Sequence, residues 1–178
     1  LMSAWGKAAT MAMETAHAKG APLDLTPKDG DAAALAALFF SSGHEVGSRD
    51  YTFEQVAAWA PKPLSPETYI EKAADGRFFL VAEDEEGRLL AYGDLEPDGH
   101  IDHLYAHPDA AGRGVASALY AALEAHARAK GMARLYVEAS EAAKRLFERR
   151  GFTVVKRRDF DLRGTAIHNY AMEKRLAA

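Results

Sequence analysis

The sequence predicts an α+β fold, in which a mixed, mostly antiparallel sheet is flanked by helices. Two apolar runs at residues 78–83 and 89–95 are joined by a polar segment ending in Gly87, which is typical of an antiparallel hairpin. A third run at residues 100–106 follows Pro97-Asp98-Gly99 and extends the pair into a meander. Segments with helical periodicity lie on both sides of this meander. Elements in this order indicate a mixed sheet with helices packed against it.

The elements before the meander begin with a short strand at residues 23–26. An alanine-rich helix is predicted next, because apolar residues recur at helical spacing in Ala34, Leu35, Leu38 and Phe39. A second helix is predicted at residues 53–60, and it ends at a proline cluster that begins at Pro61. A short helix at residues 67–73 completes this helical region.

Helices and strands alternate after the meander. A long amphipathic helix with one apolar stripe is predicted from Val115 to a stop at Gly131. The remaining elements are a strand, a helix and two strands, at residues 135–138, 140–150, 152–157 and 167–173.

The composition excludes several kinds of site. The sequence has no cysteine, so disulfides, thiolate zinc sites and a cysteine nucleophile are excluded. The formal net charge of -4 provides no overall attraction to nucleic acid or to an anionic membrane. No apolar run approaches the roughly 20 residues needed to cross a bilayer. We therefore expect a soluble, cytoplasmic monomer or homodimer that acts on small molecules, with neither nucleic acid nor membrane as a partner.

The length of 178 residues fits one compact domain, which we place at residues 22–178. The first 21 residues are rich in alanine but lack the basic start and strong apolar run of a signal peptide. An additional helix, a flexible arm and an expression remnant are the alternatives for residues 1–21.

A glycine-rich turn opens the long helix after the meander. Gly112 and Gly114 let the backbone approach a ligand closely, and free N–H groups at the positive helix end favour an anion. A dinucleotide fingerprint would need glycine where Ser117 stands, and the Gly-Lys-Ser or Gly-Lys-Thr of a Walker loop is absent. The turn is therefore predicted to grip a pyrophosphate, and the alternative is a tight loop that binds nothing.

Residues 101–152 resemble the core of the GCN5-related N-acetyltransferases, the GNAT family. The segment from Ile101 to the turn at Gly112 and Gly114 is similar to the strand and coenzyme A motif of this family. Gly114 and Ala116 match the motif, but Ala111 stands where the family has glutamine or arginine. This difference removes one side chain and leaves the backbone cradle in place.

The second part of the resemblance is the helix at residues 140–150 with the Gly-Phe pair that follows it. It is similar to the family pattern Asn-x-x-Ala-x-x-x-Tyr-x-x-x-Gly-Phe, with Ala143 at the alanine position. Ser140 replaces the asparagine, and Phe147 replaces the tyrosine. A weaker likeness reaches the closing strand, so that the resemblance covers residues 23–176.

The resemblance implies acetyl-CoA as the cofactor, with its pantetheine arm running along exposed backbone groups of Leu104 and Ala106 like an added strand. A backbone N–H near Leu104 or Tyr105 would stabilise the oxyanion that develops at the thioester carbonyl. The residues expected to contact the cofactor are Leu104, Tyr105, Ala106, Ala111, Gly112, Arg113, Gly114, Val115, Ala116, Ser117, Ser140, Ala143 and Phe147.

The implied activity is direct acetyl transfer to a primary amine of a small molecule or peptide within a ternary complex. Asp102 is the first candidate for the general base that the amine requires, with His103 and Glu138 as alternatives. Because Phe147 cannot donate a proton, Tyr170 or water is expected to protonate the departing thiolate. The alternatives are Tyr105, Ser140 and departure of the thiolate without a proton donor.

Tyr51 and Trp59 are expected to line the acceptor pocket, since they fall in the helical region that roofs it in this fold. The alternative function is a coenzyme A-binding sensor or partner domain that has lost turnover. The replacement of tyrosine by Phe147 is the feature that favours this alternative.

No metal site is expected, although three histidines lie close together in the third strand of the meander. Side chains alternate along a strand, so His100 is expected to point away from His103 and His107.

Overall fold

The computed structural model describes residues 30–84 and 86–177. The predicted strand at residues 23–26 and the extension at residues 1–21 lie outside these residues. Within the described part of the chain, helices precede a three-stranded sheet, and a second three-stranded sheet follows it. The α+β prediction is confirmed. No helix in the described ranges has the length and apolar character to span a bilayer.

Three α-helices of the described residues precede the first sheet: α1 (Asp31–Ser41), α2 (Phe53–Trp59) and α3 (Pro66–Ala74). A π-helical turn (Ser42–Val46) and a 3₁₀ turn (Gly47–Arg49) continue α1 towards α2. α2 begins at a reciprocal cap, in which Thr52 Oγ1 accepts from Gln55 N–H at 3.2 Å and Gln55 Oε1 accepts from Thr52 N–H at 3.0 Å. The helices predicted at residues 53–60 and 67–73 are thus confirmed within one residue at each end.

The first sheet consists of β1 (Phe78–Glu83), β2 (Leu89–Leu95) and β3 (Leu104–Ala106), antiparallel and in that order. A 3₁₀ turn (Pro108–Ala110) then leads into α4 (Val115–Ala129). α4 covers one face of the sheet and α1 with α3 cover the other, so every residue of β1 and β2 is buried. Burial on both faces explains why these two strands have mostly apolar sequences.

The second sheet follows α4 and is built from β4 (Arg134–Ala139), β5 (Thr153–Leu162) and β6 (Thr165–Arg175), with α5 (Glu141–Arg149) after β4. Its strands are antiparallel in the order β4-β6-β5. Arg163 and Gly164 join β5 to β6 in a two-residue turn with φ values of 53° and 81°. Both strands extend beyond the predicted ranges because this tight turn keeps them paired up to Leu162 and Thr165.

The two sheets meet where the chain passes close to β4. Ile101 N–H donates to Tyr136 O at 2.9 Å, and Tyr136 N–H donates to Gly99 O at 3.0 Å. This parallel contact is centred on His100 and Tyr136. Gly99 is required there, because its φ is 95° and a Cβ would lie 2.2 Å from Arg134 O.

Beyond Ile101 the chain leaves β4 and joins β2. The carboxylate of Asp94, which is 0% exposed, accepts the N–H of Asp102 at 3.2 Å and of His103 at 3.0 Å. These bonds draw the chain towards β2, and ladder pairing begins only at Leu104. The strand predicted at residues 100–106 is therefore wrong for its first part and confirmed for its last three residues. The two sheets consequently diverge and leave a cleft between β3 and β4.

Apolar clusters hold both faces of the first sheet in place. Leu119 and Leu123 of α4 belong to the cluster on one face, and Leu38 of α1 packs with Phe79 on the other. The strand that borders the cleft is thereby fixed on a rigid support, as precise positioning of a ligand requires.

Candidate active site

A cavity of about 310 Å³ opens where β3 and β4 diverge. One end, here called the glycine end, is lined by small residues and one ring: Ala111, Gly112, Ala116, Ala143 and Phe147. The other end, here called the aromatic end, is lined by Tyr51, Trp59, Phe160, Leu162, Ile167 and Asn169. Leu104 and Tyr105 of β3 face Val137 and Glu138 of β4 between the two ends.

The backbone of β3 faces in two directions. His103 O accepts from Asp94 N–H at 3.0 Å, and His107 N–H donates to Leu90 O at 2.7 Å, so these residues and Tyr105 between them pair with β2. Antiparallel pairing alternates along a strand. The N–H and C=O groups of Leu104 and Ala106 therefore point away from β2, into the cleft. An extended chain lying in the cleft could bond to them as a strand does.

The glycine turn at the other side of the cleft is open. Gly112 and Gly114 have φ values of 77° and 81°, and a Cβ at either would meet no atom within 4 Å. Glycine is thus required there by conformation, and space remains for a ligand beside the backbone. α4 begins at Val115 without a side-chain cap, so its first N–H groups have no intrahelical acceptor. Free amides at a positive helix end form an anion site.

Four of the predicted cofactor residues of this turn do not line the cavity: Arg113, Gly114, Val115 and Ser117. The Arg113 side chain is exposed, the Val115 side chain is buried in the core, and Ser117 O lies 3.5 Å from Arg150 Nη2. Ala111 and Ala116 do line the cavity, and their small side chains keep the turn accessible.

α5 forms the wall opposite the turn. Ser140 caps this helix, since its Oγ accepts from Ala143 N–H at 3.3 Å. Phe147 is 1% exposed and packs against Tyr120 and Phe152, with ring centroids 5.8 Å and 4.8 Å apart. Phe147 also lines the cavity. Ser140 and Phe147 thus have structural roles as well as a place in the site.

Arg149 at the end of α5 also lines the cavity, and it is not among the cofactor residues expected from the sequence. Helical spacing could have indicated this position, because Ala142, Leu146 and Arg149 follow at i, i+4 and i+7 and all face the cavity. Arg149 is therefore a further cation at the glycine end.

Asp102 lines the cavity but is held by two cations from outside it. Lys72 Nζ of α3 forms an ion pair with Asp102 Oδ2, and Arg77 Nη1 lies 3.1 Å from the same oxygen. Burial opposes the charged form, but the bond to Lys72 and the nearby positive charges outweigh it and lower the pKa of Asp102 to about 2. A carboxylate held in this way is a weak proton acceptor. Its contacts favour a structural role that fixes the start of β3 against α3.

Glu138 is the other carboxylate that faces the cavity at the divergence, and its side chain is 37% exposed. His100 Nε2 lies 2.6 Å from Glu138 Oε2, and His100 Nδ1 lies 3.0 Å from Glu96 Oε1. The His100 ring stacks on Tyr136 at 4.7 Å between centroids. Burial disfavours the imidazolium, but the hydrogen bonds to Glu138 and Glu96 outweigh it and raise the pKa of His100. Glu138 thus lines the cavity and is hydrogen-bonded to His100.

His103 and Tyr170 lie outside the set of described residues that line the cavity. Burial lowers the pKa of His103, whose Nδ1 lies 3.1 Å from the Tyr92 hydroxyl. The Tyr170 hydroxyl donates to Glu141 Oε1 at 2.8 Å, and this bond raises the pKa of Tyr170. Both predicted acid–base candidates are therefore engaged with protein groups beside the cavity.

Tyr51 and Trp59 line the aromatic end, where the sequence predicted them. The Tyr51 hydroxyl donates to His168 O at 3.1 Å and accepts from Glu141 N–H at 3.1 Å, so it ties β6 to α5. The hairpin side chains of this end were missed by the sequence analysis. The alternation of side chains along a strand could have indicated them, because residues two positions apart share a face. Such pairs are Phe160 with Leu162 and Ile167 with Asn169.

One group of potential metal ligands lies near this site in the described part of the chain. Glu96, His100 and Asp102 place ligand atoms within 4.8 Å of one another. Asp102 is ion-paired to Lys72 and Arg77, and His100 lies between Glu96 and Glu138, so each of the three already has a protein partner.

Comparison with known sequences finds two matches that span most of the chain. A family model described as "Acetyltransferase (GNAT) domain" matches residues 48–174. An Escherichia coli (strain K12) protein named "Uncharacterized N-acetyltransferase YafP" is 32% identical over 144 residues, which cover 80% of this chain and 89% of that protein. The matched region contains α2, the glycine turn and both sheets.

Comparison with solved structures finds the same fold. A protein from Rhodopseudomonas palustris described as "GCN5-Related N-acetyltransferase: Aminotransferase, Class-II" is 33% identical with a TM-score of 0.78, covering 88% of this chain and 96% of that one. A GNAT superfamily phosphinothricin acetyltransferase from Sinorhizobium meliloti, solved in complex with AcCoA, is 18% identical with a TM-score of 0.70, covering 88% of each chain. At that identity the likeness concerns the fold alone.

Proposed function

The chain belongs to the GNAT acetyltransferase family, and from this membership we propose that it transfers the acetyl group of acetyl-CoA directly to a primary amine within a ternary complex. The observation that carries the proposal is the cleft between β3 and β4. It joins a glycine turn with free helix amides to unpaired backbone groups at Leu104 and Ala106. A carboxylate, Glu138, faces the same cavity.

The residues of the glycine end fit the parts of acetyl-CoA. The amides of Gly112 and of residues 114–117 suit the pyrophosphate, and Arg149 adds a positive charge. Leu104 and Ala106 would pair with the amide groups of the pantetheine arm, and the small side chains of Ala111 and Ala143 leave room for it. Bound acetyl-CoA supplies its acetyl group as an activated thioester.

The free N–H of Leu104 is the better of the two predicted donors to the thioester carbonyl. The backbone of Tyr105 is paired with Tyr92, whereas Leu104 points into the cleft. Donation from Leu104 to the oxygen that gains negative charge would lower the barrier by about 3 kcal/mol. No nucleophilic side chain is required for this step.

Glu138 is our candidate for the general base, in place of Asp102. The amine must lose a proton as it attacks, and Glu138 accepts it directly or through one water. Asp102 is committed to Lys72 and Arg77. The departing thiolate takes its proton from water, because Phe147 has none to give and the Tyr170 hydroxyl is bonded to Glu141.

Calorimetric titration with acetyl-CoA tests the cofactor site. Gly114→Ala places a Cβ in the open space beside the turn, and we expect affinity to fall at least tenfold. Gly131→Ala is the matched control, since Gly131 also has a positive φ, of 70°, and open space around it, at the opposite end of α4. Both changes strain the backbone by about 1 kcal/mol, but only the first should weaken binding. Absence of acetyl-CoA binding by the unaltered protein would refute the proposed cofactor.

Release of the coenzyme A thiol across a panel of primary amines tests turnover. The alternative is a coenzyme A-binding sensor, which the phenylalanine at position 147 favours. Turnover with any amine above the rate without protein supports the enzyme. Tight acetyl-CoA binding with thiol release at background for the whole panel supports the sensor.

A further inference from the structure

The cavity combines the ring walls of its aromatic end with three carboxylates and one buried amide oxygen that has no hydrogen-bond partner. We propose that the acceptor is a small amine on an apolar, ring-bearing body with no carboxylate beside the amine, and that Asn169 selects it. The inference rests on the proposed acetyl transfer and names the acceptor class of the same site.

The walls define the apolar body of the acceptor. Tyr51, Trp59 and Tyr105 follow one another with ring centroids 6.3 Å and 6.2 Å apart, and Phe160 and Leu162 complete the wall from the hairpin. The Tyr51 hydroxyl is committed to two backbone groups, so this side chain presents chiefly its ring. A flat apolar body suits such a surface, and ring faces also attract a cation.

The charges of the cavity lining restrict which groups the acceptor can carry beside its amine. Three carboxylates line the cavity, those of Asp50, Asp102 and Glu138, whereas the one Arg or Lys among the described lining residues is Arg149, on α5 at the glycine end. An ammonium group is favoured beside these carboxylates before it loses its proton. A carboxylate on the acceptor would instead face like charge.

The basic side chains near these carboxylates already have protein partners. Arg145 bonds Asp50 at 3.0 Å and 2.6 Å, Lys72 pairs with Asp102, and Arg77 bonds both Asp94 and Asp102. Arg158 Nη1 lies 3.8 Å from Glu138 Oε1, and Arg163 Nη1 donates to Ala58 O. An acceptor carboxylate would lose its water and would have to displace existing partners of these basic groups, which is unfavourable.

Asn169 supplies the contact to the amine itself. Its Oδ1 is buried and has no hydrogen-bond partner, although the residue lines the cavity. In the β4–β6 ladder Glu138 stands opposite Ala171, two positions from Asn169, so both side chains project from the same face. A primary amine can donate one N–H to Asn169 Oδ1 and release its other proton to Glu138. An unpaired buried oxygen gains by such a bond.

Tyramine and tyrosine are the probes, because they differ only in the carboxylate beside the amine. Titration into the protein saturated with coenzyme A measures acceptor affinity without turnover, and thiol release with acetyl-CoA measures kcat/KM. We expect tyramine to bind at least tenfold more tightly and to react at least 100-fold faster than tyrosine. Tyrosine amide, which lacks the negative charge, should behave like tyramine. Equal or better binding of tyrosine, or binding of neither compound, would overturn the inference.

Variants at Asn169 test its role as a specificity residue. Asn169→Leu is close in size and removes the oxygen, so KM for tyramine should rise about fivefold to tenfold while acetyl-CoA affinity stays the same. Asn169→Asp keeps an acceptor oxygen and should retain tyramine binding. An unchanged KM in Asn169→Leu, with its thermal midpoint intact, would overturn the role of this side chain. If tyramine binds but no thiol is released, the proposed catalysis fails and the acceptor class stands.

Discussion

His100 Nε2 lies 2.6 Å from Glu138 Oε2 while His100 Nδ1 lies 3.0 Å from Glu96 Oε1, so one imidazole bridges two carboxylates at the edge of the cavity. The bridge crosses between the two sheets, because Glu96 follows β2 and Glu138 belongs to β4. His100 therefore fixes the Glu138 carboxylate and links the cavity to the junction of the two sheets.

Replacing His100 by Gln should destabilise the protein more at low than at high pH. Its two carboxylate partners raise the pKa of His100 in the folded state, so the stabilisation is present below the unfolded value of about 6.5. It is lost as the pH rises through the folded pKa. We expect a loss of about 1 kcal/mol in unfolding free energy at pH 6, and less at pH 9. Urea unfolding at both pH values measures it, and an equal loss at both would contradict the bridge.

Glu138→Gln should lower kcat by about 100-fold or more, because a positioned general base contributes on that order. Acetyl-CoA affinity should be unchanged, since Glu138 does not belong to the glycine end. The control is Glu148→Gln, which removes a carboxylate of α5 that lies 3.4 Å from Lys144 and does not line the cavity. Steady-state kinetics measure kcat for both variants. An unchanged kcat in Glu138→Gln would contradict the role of Glu138 as general base and would favour Asp102.

Asp102→Asn should act on stability. The folded pKa of Asp102 is lowered to about 2 from its ordinary 3.8. Its ion pairs therefore stabilise the protein above the ordinary value, and the effect is lost as the pH falls towards the folded value. We expect a loss of about 2 kcal/mol at neutral pH and almost none near pH 2.

The matched control for this change is Asp109→Asn, since the Asp109 side chain is 63% exposed and lies 3.4 Å from Arg88. That substitution should cost less than about 0.5 kcal/mol. Urea unfolding at neutral pH compares the two variants. Equal losses of unfolding free energy in the two variants would show that the buried ion pairs of Asp102 stabilise the protein no more than an exposed pair does.

Phe147→Ala should reduce both stability and cofactor binding. The side chain is 1% exposed against Tyr120 and Phe152, so its removal leaves a cavity that costs about 3–5 kcal/mol. Phe53→Ala is the control, because Phe53 is 77% exposed and should change stability by less than about 0.5 kcal/mol. Thermal melts with and without acetyl-CoA measure both effects. A small loss at Phe147 would mean that its ring is not part of the core.

Local sequence patterns predicted β1 and β2 well, but they did not predict where β3 diverges from β4. β1 and β2 were found at their observed bounds because burial on both faces leaves runs that are mostly apolar. The start of β3 was missed because it depends on Asp94, a buried carboxylate whose bonds to the Asp102 and His103 amides have no periodicity. The ion pair that bears on the role of Asp102 joins residues 30 positions apart in the chain, Lys72 and Asp102.

The two ends of the cavity also differ in how far local sequence patterns could predict them. The glycine end is built mainly from the glycine turn and α5, whose local motifs are visible in the sequence. The aromatic end is assembled from α2 and the β5–β6 hairpin, which lie about 100 residues apart, so no local pattern could bring Trp59 and Phe160 together.

The divergence of β3 from β4 also has a consequence for the protein without its ligand. Leu104 and Ala106 then expose bare strand edges inside the molecule, and bare edges are where foreign chains attach and aggregation starts. A bound ligand lying in the cleft covers them and stabilises the folded state by mass action. If acetyl-CoA is this ligand, as we propose, its concentration sets the stability of the folded protein as well as the rate of the reaction.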